Sequence, residues 1–163
     1  MTFKVGDSVV YPSQGAGVVA EQTTREVLGE KQDYLKIGFI RGDMQVLVPL
    51  QKTHDVGLRH TVTAEEVQKL HSAIRKADLP LPSQWPPRYR AEQDILARGD
   101  AYELAKLIGV LSDRDVEKGL AGTEREILER AKELLSSELA VVQSLSLREA
   151  AAQIEATIEE KAS

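Results

Sequence analysis

The spacing of apolar residues changes period once along this chain, near Gly57-Leu58-Arg59, and that change limits the fold more than any other feature. Upstream, apolar residues recur every second position: Leu35, Ile37 and Phe39 fall on one face, as do Met44, Val46 and Val48. Downstream they recur every third or fourth: Val67, Leu70 and Ile74, then Leu104, Leu107, Ile108 and Leu111, then Leu128, Ala131, Leu135, Leu139 and Val142. The first period belongs to half-buried strands and the second to amphipathic helices. Strands followed by helices, without alternation, specify an α+β chain.

The front half places its turns where strands must reverse. Val9-Val10-Tyr11 runs into Pro12-Ser13-Gln14-Gly15, and Gly17-Val18-Val19-Ala20 resumes the extended chain. Leu28-Gly29-Glu30 and Arg41-Gly42-Asp43 form two further turns, and Pro49 ends the last strand. Short strands separated by glycine turns within about 50 residues predict a small, strongly bent antiparallel barrel. With Met44, Val46 and Val48 inward, Gln45 and Leu47 point outward; with Val18 and Ala20 inward, Val19, Thr23 and Arg25 point outward.

Four cap-and-glutamate signatures mark helix starts in the second half: Thr63 with Glu66, Asp100 with Glu103, Thr123 with Glu126 and Ser146 with Glu149. Gly99 and Gly119 fit helix stops, and a shorter helix is expected over Arg88 to Arg98. A compact bundle of about five helices results. The expected domains are residues 1–57 and 58–163.

Net charge is −5, and its distribution matters more than its sum. Lys plus Arg against Asp plus Glu is 6 to 7 over residues 1–57, 10 to 10 over 58–118, and 5 to 9 over 119–163. The balanced middle can present a local basic face, but DNA binding by the chain alone is expected to be weak. Cysteines are absent, so neither a disulfide framework nor a thiolate metal site is available. No apolar run approaches the ~20 residues of a membrane span, and Met1 to Asp7 holds no signal-peptide core, which fits a cytoplasmic protein.

Catalytic constellations are missing. His54, His60 and His71 match no metal-ligand spacing and are expected on the solvated surface, the first two on the linker. Gly15-Ala16-Gly17 precedes a strand where a phosphate-binding helix would have to begin. The carboxylates fall in helix first turns or beside Lys and Arg at helical spacing, as surface residues do. Neither an enzyme nor a cofactor is expected.

Three features exceed an ordinary surface. Trp85, the only tryptophan, lies in Leu79–Pro87, a stretch with four of the six prolines, and on no helical stripe. Pro86 biases it toward extended backbone ahead of a helix, which suits a rigidly mounted contact ring. Arg88-Tyr89-Arg90 follows, and two cations beside an aromatic wedge at a helix start form a minor-groove constellation. The outward strand positions Arg25 and Leu47 suit a protein-docking face.

Phe3-Lys4-Val5-Gly6-Asp7, Val9-Val10-Tyr11-Pro12 with Gly15, Val56-Gly57-Leu58-Arg59, Trp85 with Arg88-Tyr89-Arg90, and Glu117-Lys118-Gly119-Leu120 together resemble the CarD/CdnL family of bacterial transcription regulators, end to end. The front part is also similar to the polymerase-interacting domain of the transcription-repair coupling factor. The resemblance implies a Tudor-like N-terminal barrel docked on the RNA polymerase β subunit, at its protrusion/β1 lobe, with Arg25 and Leu47 at the contact. It implies a helical C-terminal domain at the upstream edge of the melted promoter bubble. There Trp85 would wedge into the minor groove and slow bubble collapse, and Arg88, Arg90 and Arg125 would contact the DNA backbone. Some relatives carry a basic residue in place of Pro87 and an arginine in place of Leu47. The competing readings are a polymerase-binding adaptor that never touches DNA, with Trp85 buried, and a small-molecule enzyme, ranked last. A monomer, associated with the nucleoid through polymerase, is the default expectation.

Overall fold

The computed structural model describes residues 2–162. Strands β1 (Ser8–Tyr11), β2 (Gly15–Val27), β3 (Glu30–Phe39), β4 (Gln45–Pro49) and β5 (Arg59–His60) precede helices α1 (Val67–Lys76), α2 (Pro87–Arg98), α3 (Ala101–Lys118), α4 (Gly122–Gln143) and α5 (Leu147–Ala162). The strands form one antiparallel sheet in the order β4-β3-β2-β1-β5. The α+β reading is therefore borne out, with five α-helices among the described residues.

Each half has its own core. Phe3, Val9, Val19, Leu35, Ile37, Phe39, Val48 and Leu58 pack under the sheet. The second core gathers the helical stripes around Leu70, Ile74, Leu107, Ile108, Leu111, Leu135 and Leu139. Gly109 lets α1 and α3 approach closely, because a Cβ there would collide with the carbonyl oxygen of Ile74.

The inward and outward assignment differs from expectation on two strands. Val19 is buried while Val18 and Ala20 are exposed, the reverse of the alternation read from β2. A β-bulge between Val19 and Glu21 then shifts the phase by one residue, so Val19 lies opposite Ile37 whereas Glu21 lies opposite Lys36. Thr23 and Arg25 thus share the outward face of Lys36 although the starting phase was inverted. Met44 is exposed, since β4 begins only at Gln45, after the turn.

Three of the four expected caps form. The Glu103 amide donates to Asp100 Oδ1 at 3.0 Å, and Ser146 and Glu149 exchange two bonds of 3.0 Å. The Thr63 amide donates to Glu66 Oε1 at 3.1 Å. The fourth does not: α4 begins at Gly122, so Thr123 lies within its first turn and caps nothing. His71 is likewise not on the surface. It is buried between α1 and α5, with Nδ1 2.7 Å from Thr157 Oγ1. Burial, then the charge of Arg75, lowers its pKa against the opposing pull of Glu160.

The two halves are fastened along α4. The first residues of β2 seat on it: the Ala16 amide donates to Ser137 Oγ at 3.0 Å, and a Cβ on Gly15 would sit 2.6 Å from that oxygen. Arg59 of β5 grips buried Glu138 of α4 through bonds of 2.7 and 2.8 Å, and the Val62 amide donates to the same carboxylate at 2.8 Å.

Candidate functional site

Two surfaces gather the residues singled out by sequence. The first is the outward face of β2, β3 and β4. Lys36 lies opposite Glu21 on one side and Leu47 on the other, so Glu21, Lys36 and Leu47 form a row across three strands. Thr23 and Arg25 continue that face along β2, and a shallow groove is lined by Glu21, Thr23, Arg25, Lys36, Gln45, Val46 and Leu47. Arg25 and Leu47 are both exposed, as expected. Thr23 Oγ1 lies inaccessible in this groove with no hydrogen-bond partner. Beyond Arg25 the β2–β3 hairpin ends in Val27 and Leu28, both exposed; Leu28 and Gly29 take positive φ at its two-residue turn.

The second surface is built where α2 begins. Trp85 is 44 % exposed, so it is not a core anchor. Its ring tilts against Tyr89 with centroids 5.1 Å apart, and the Arg88 guanidinium lies 5.2 Å from its centroid. Pro87 occupies the first turn of α2, where a missing N–H costs nothing. Arg88 also ties down the preceding loop, donating from Nη1 to the Ser83 carbonyl at 2.7 Å.

Arg88 is largely occupied within the protein. Its Nε donates to Glu124 Oε2 at 2.9 Å and stands 3.6 Å from Glu92, and its side chain is only 11 % exposed. Arg114 of α3 stands 3.7 Å from Glu124 on the other side. The first turns of α2 and α4 therefore meet through one ion pair, which places a carboxylate beside the positive end of both helix dipoles. Arg90 is exposed and makes no ion pair among the described residues. Arg125, next to Glu124, is half exposed and pairs with Asp115 at 2.8 Å, a bond that holds the Asp115 carboxyl below its ordinary pKa.

Three buried carboxylates went unseen in the sequence, where carboxylates read as surface residues. Glu92, Glu124 and Glu138 are all inaccessible. Each lies three or four positions from a core apolar residue: Glu92 before Ile95, Glu124 before Ile127, and Glu138 after Leu134. An acid on an apolar stripe was the available signal. Burial, then the facing Glu124, pushes the Glu92 carboxyl up to about 8. Burial opposes charge on Glu124 as well, yet bonds with Glu92 and Arg88 hold it below the usual carboxylate range. One proton on Glu92 reconciles the two: it supplies an O–H donor toward Glu124 where two anions would repel.

No group of three or more His, Cys, Asp and Glu side chains arranged to hold a metal ion occurs among the described residues. No described helix is long and apolar enough to cross a membrane.

A family model described as the CarD C-terminal domain matches residues 69–155, and one described as the CarD-like/TRCF RID domain matches residues 3–62. The chain is 28 % identical over 144 residues to YdeB of Bacillus subtilis (strain 168), named as a candidate transcription factor, covering 88 % of this chain and 94 % of that protein. The solution structure of the 72-residue N-terminal domain of Myxococcus xanthus CarD is 34 % identical, covering 36 % of this chain and 79 % of that domain, with a TM-score of 0.32. With the two family models matching in order along both halves, the chain belongs to the CarD family of transcription factors and carries that family's RNA polymerase-interacting type of domain at its front.

Proposed function

We propose that this protein holds RNA polymerase with residues 1–57 and promoter DNA with residues 58–163, and thereby prolongs the life of the open complex. The polymerase contact is the β subunit, at its protrusion/β1 lobe, received on the sheet face that carries Arg25 and Leu47. The DNA contact is the upstream edge of the bubble, where Trp85 wedges into the minor groove. Arg90 and Arg125 reach phosphates beside it, with Arg88 at the root of the same constellation. The observation that carries this reading is the half-exposed Trp85, held by Tyr89 and Arg88 at a helix start rather than buried in either core.

Weak DNA affinity is compatible with this role. Three phosphate contacts would give a log–log salt slope of only about −2.7, and two about −1.8. Tethering through polymerase raises the local concentration to about the millimolar range, where a weak contact is occupied. Inserting a wedge costs a few kcal/mol at an intact base step and less where stacking is already broken. The open complex is therefore favoured over the closed one, and a preference of about 1.4 kcal/mol multiplies its occupancy tenfold. Action at the bubble edge is sequence-tolerant, and polymerase brings the protein to the nucleoid.

The test is the lifetime of promoter open complexes with polymerase alone, with the protein, and with its Trp85→Ala variant. Prolongation that Trp85→Ala largely abolishes is expected. Equal lifetimes in all three, with polymerase binding intact, would replace this reading by an adaptor that makes no DNA contact.

A further inference from the structure

Arg88 raises a question that a simple phosphate contact does not answer. A cation meant for DNA has no need of a carboxylate behind it, yet Arg88 is held by Glu124, which is itself backed by Glu92 and flanked by Arg114. The same guanidinium lies over the Trp85 ring and bonds to the Ser83 carbonyl of the loop that carries the tryptophan. Among the described residues, Arg88 is thus the side chain that joins the buried acids to the exposed indole. We propose that Glu124, backed by the fully buried Glu92, is a positioning residue for Trp85: it locks Arg88 against the indole and its loop, so that the wedge is presented in one orientation. The consequence for DNA binding rests on the function proposed above.

The cluster has the composition this role requires. Three charged groups face Glu92, from every helix packed on it: Arg88 on α2, Glu124 on α4 and Arg114 on α3. Neither Glu92 oxygen accepts a hydrogen bond from a protein donor, and its closest cation, Arg88 Nε, is 3.6 Å away. A neutral Glu92 donates to Glu124 and leaves that carboxylate to Arg88 alone. An ionised Glu92 competes with Glu124 for the same guanidinium and repels it. Loss of the Glu92 proton therefore loosens the hold on Arg88, and with it the seat of Trp85. Because Glu92 is pushed upward by its burial and by Glu124, this loss comes on the alkaline side of neutrality.

The full chain provides its own probe, because Trp85 is the only tryptophan. In Glu124→Gln the emission of Trp85 is expected to move to the red and its quenching by acrylamide to increase. If the released loop seats the ring half of the time, the gain in open-complex lifetime falls roughly twofold. Arg88→Lys keeps the charge but loses the planar fork, and shows the same red shift. In the wild type, Trp85 emission changes with pH between about 6 and 9, and Glu92→Gln abolishes that change while matching wild-type emission at neutral pH. A role confined to stability would not produce this loss of the pH profile. Unchanged quenching in folded Glu124→Gln, or a pH profile that survives in Glu92→Gln, overturns the proposal. The fluorescence measurements involve no DNA, so if they turn out as expected while wild-type and Trp85→Ala lifetimes agree, the positioning role stands and the DNA reading fails.

Discussion

Glu138 and Glu92 are both inaccessible carboxylates on helices, and the structure treats them in opposite ways. Glu138 accepts two bonds from Arg59 and one from the Val62 amide, all of 2.8 Å or less. Glu92 accepts none and meets its nearest cation at 3.6 Å. A buried carboxylate gripped by three donors is held rigidly, and here it fastens the sheet half to the helical half. One that accepts no such bonds keeps its proton and becomes sensitive to its surroundings. Both arrangements lie on elements that touch α4, so one helix carries the rigid joint between the two halves and, at its first turn, the adjustable seat beneath Trp85.

The largest effect is expected at the rigid end. Glu138→Leu leaves Arg59 facing an apolar group and strands the Val62 amide, and loss of one partner of a buried pair costs about 3 kcal/mol or more. Urea unfolding should show that loss, and weaker coupling of the two halves should separate transitions that otherwise coincide. A single, undisplaced transition would mean that the ion pair is not the joint.

A smaller effect sharpens the other side. A carboxyl whose pKa is higher folded than unfolded binds its proton more tightly in the folded state. It contributes stability that is complete below the unfolded value and is lost as pH rises through the folded one. For Glu92 that window runs from about 4.5 to about 8. His71, lowered by burial, acts oppositely: its contribution is present above its unfolded value of 6.5 and is lost as pH falls. Asp115, Glu66, Glu124 and Glu149 are lowered and act in the acid range, and Tyr102, pushed up to about 12 by its bond to Glu66, acts in the alkaline. Between pH 6.5 and 8, Glu92 alone among these groups makes stability fall with pH, at up to about 1.4 kcal/mol per unit for one proton. Glu92→Gln should flatten that slope in unfolding curves taken at several pH values; an unaltered slope would place the proton elsewhere.

The smallest effect concerns Arg90, which is outside both clusters. Arg90→Ala should leave the free energy of unfolding within about 0.5 kcal/mol of the wild type. It should reduce the log–log salt slope of binding to a polymerase-bound bubble-edge DNA by about 1. A salt slope that does not change would remove Arg90 from the DNA contact.

Part of this was legible in the residues alone. Strand and helix order, the caps at Thr63, Asp100 and Ser146, the αL stop at Gly99 and the exposure of Leu47 all follow from short-range pattern, whereas Arg25 faces outward only because a bulge restores the phase of β2. The bulge at Val19 was not legible, because an extra residue in β2 is defined only by the strand paired with it. The burial of His71 was not either, since α5 supplies the wall on which it rests.

Local residue pattern set where the chain turns from sheet to helix and where Trp85 stands ahead of α2. Such features depend on residues a few positions apart and on backbone preferences carried by Gly, Pro and the capping side chains. What Arg88, Glu92 and Glu138 do was set by long-range packing. Their charges meet partners 36 residues away for Arg88 and Glu124, and 79 for Arg59 and Glu138. In sequence, Arg88 and Glu92 read as an ordinary exposed pair four residues apart. Packing of α2 against α3 and α4 removes the water from that pair, and without water a charge must find a partner or keep its proton.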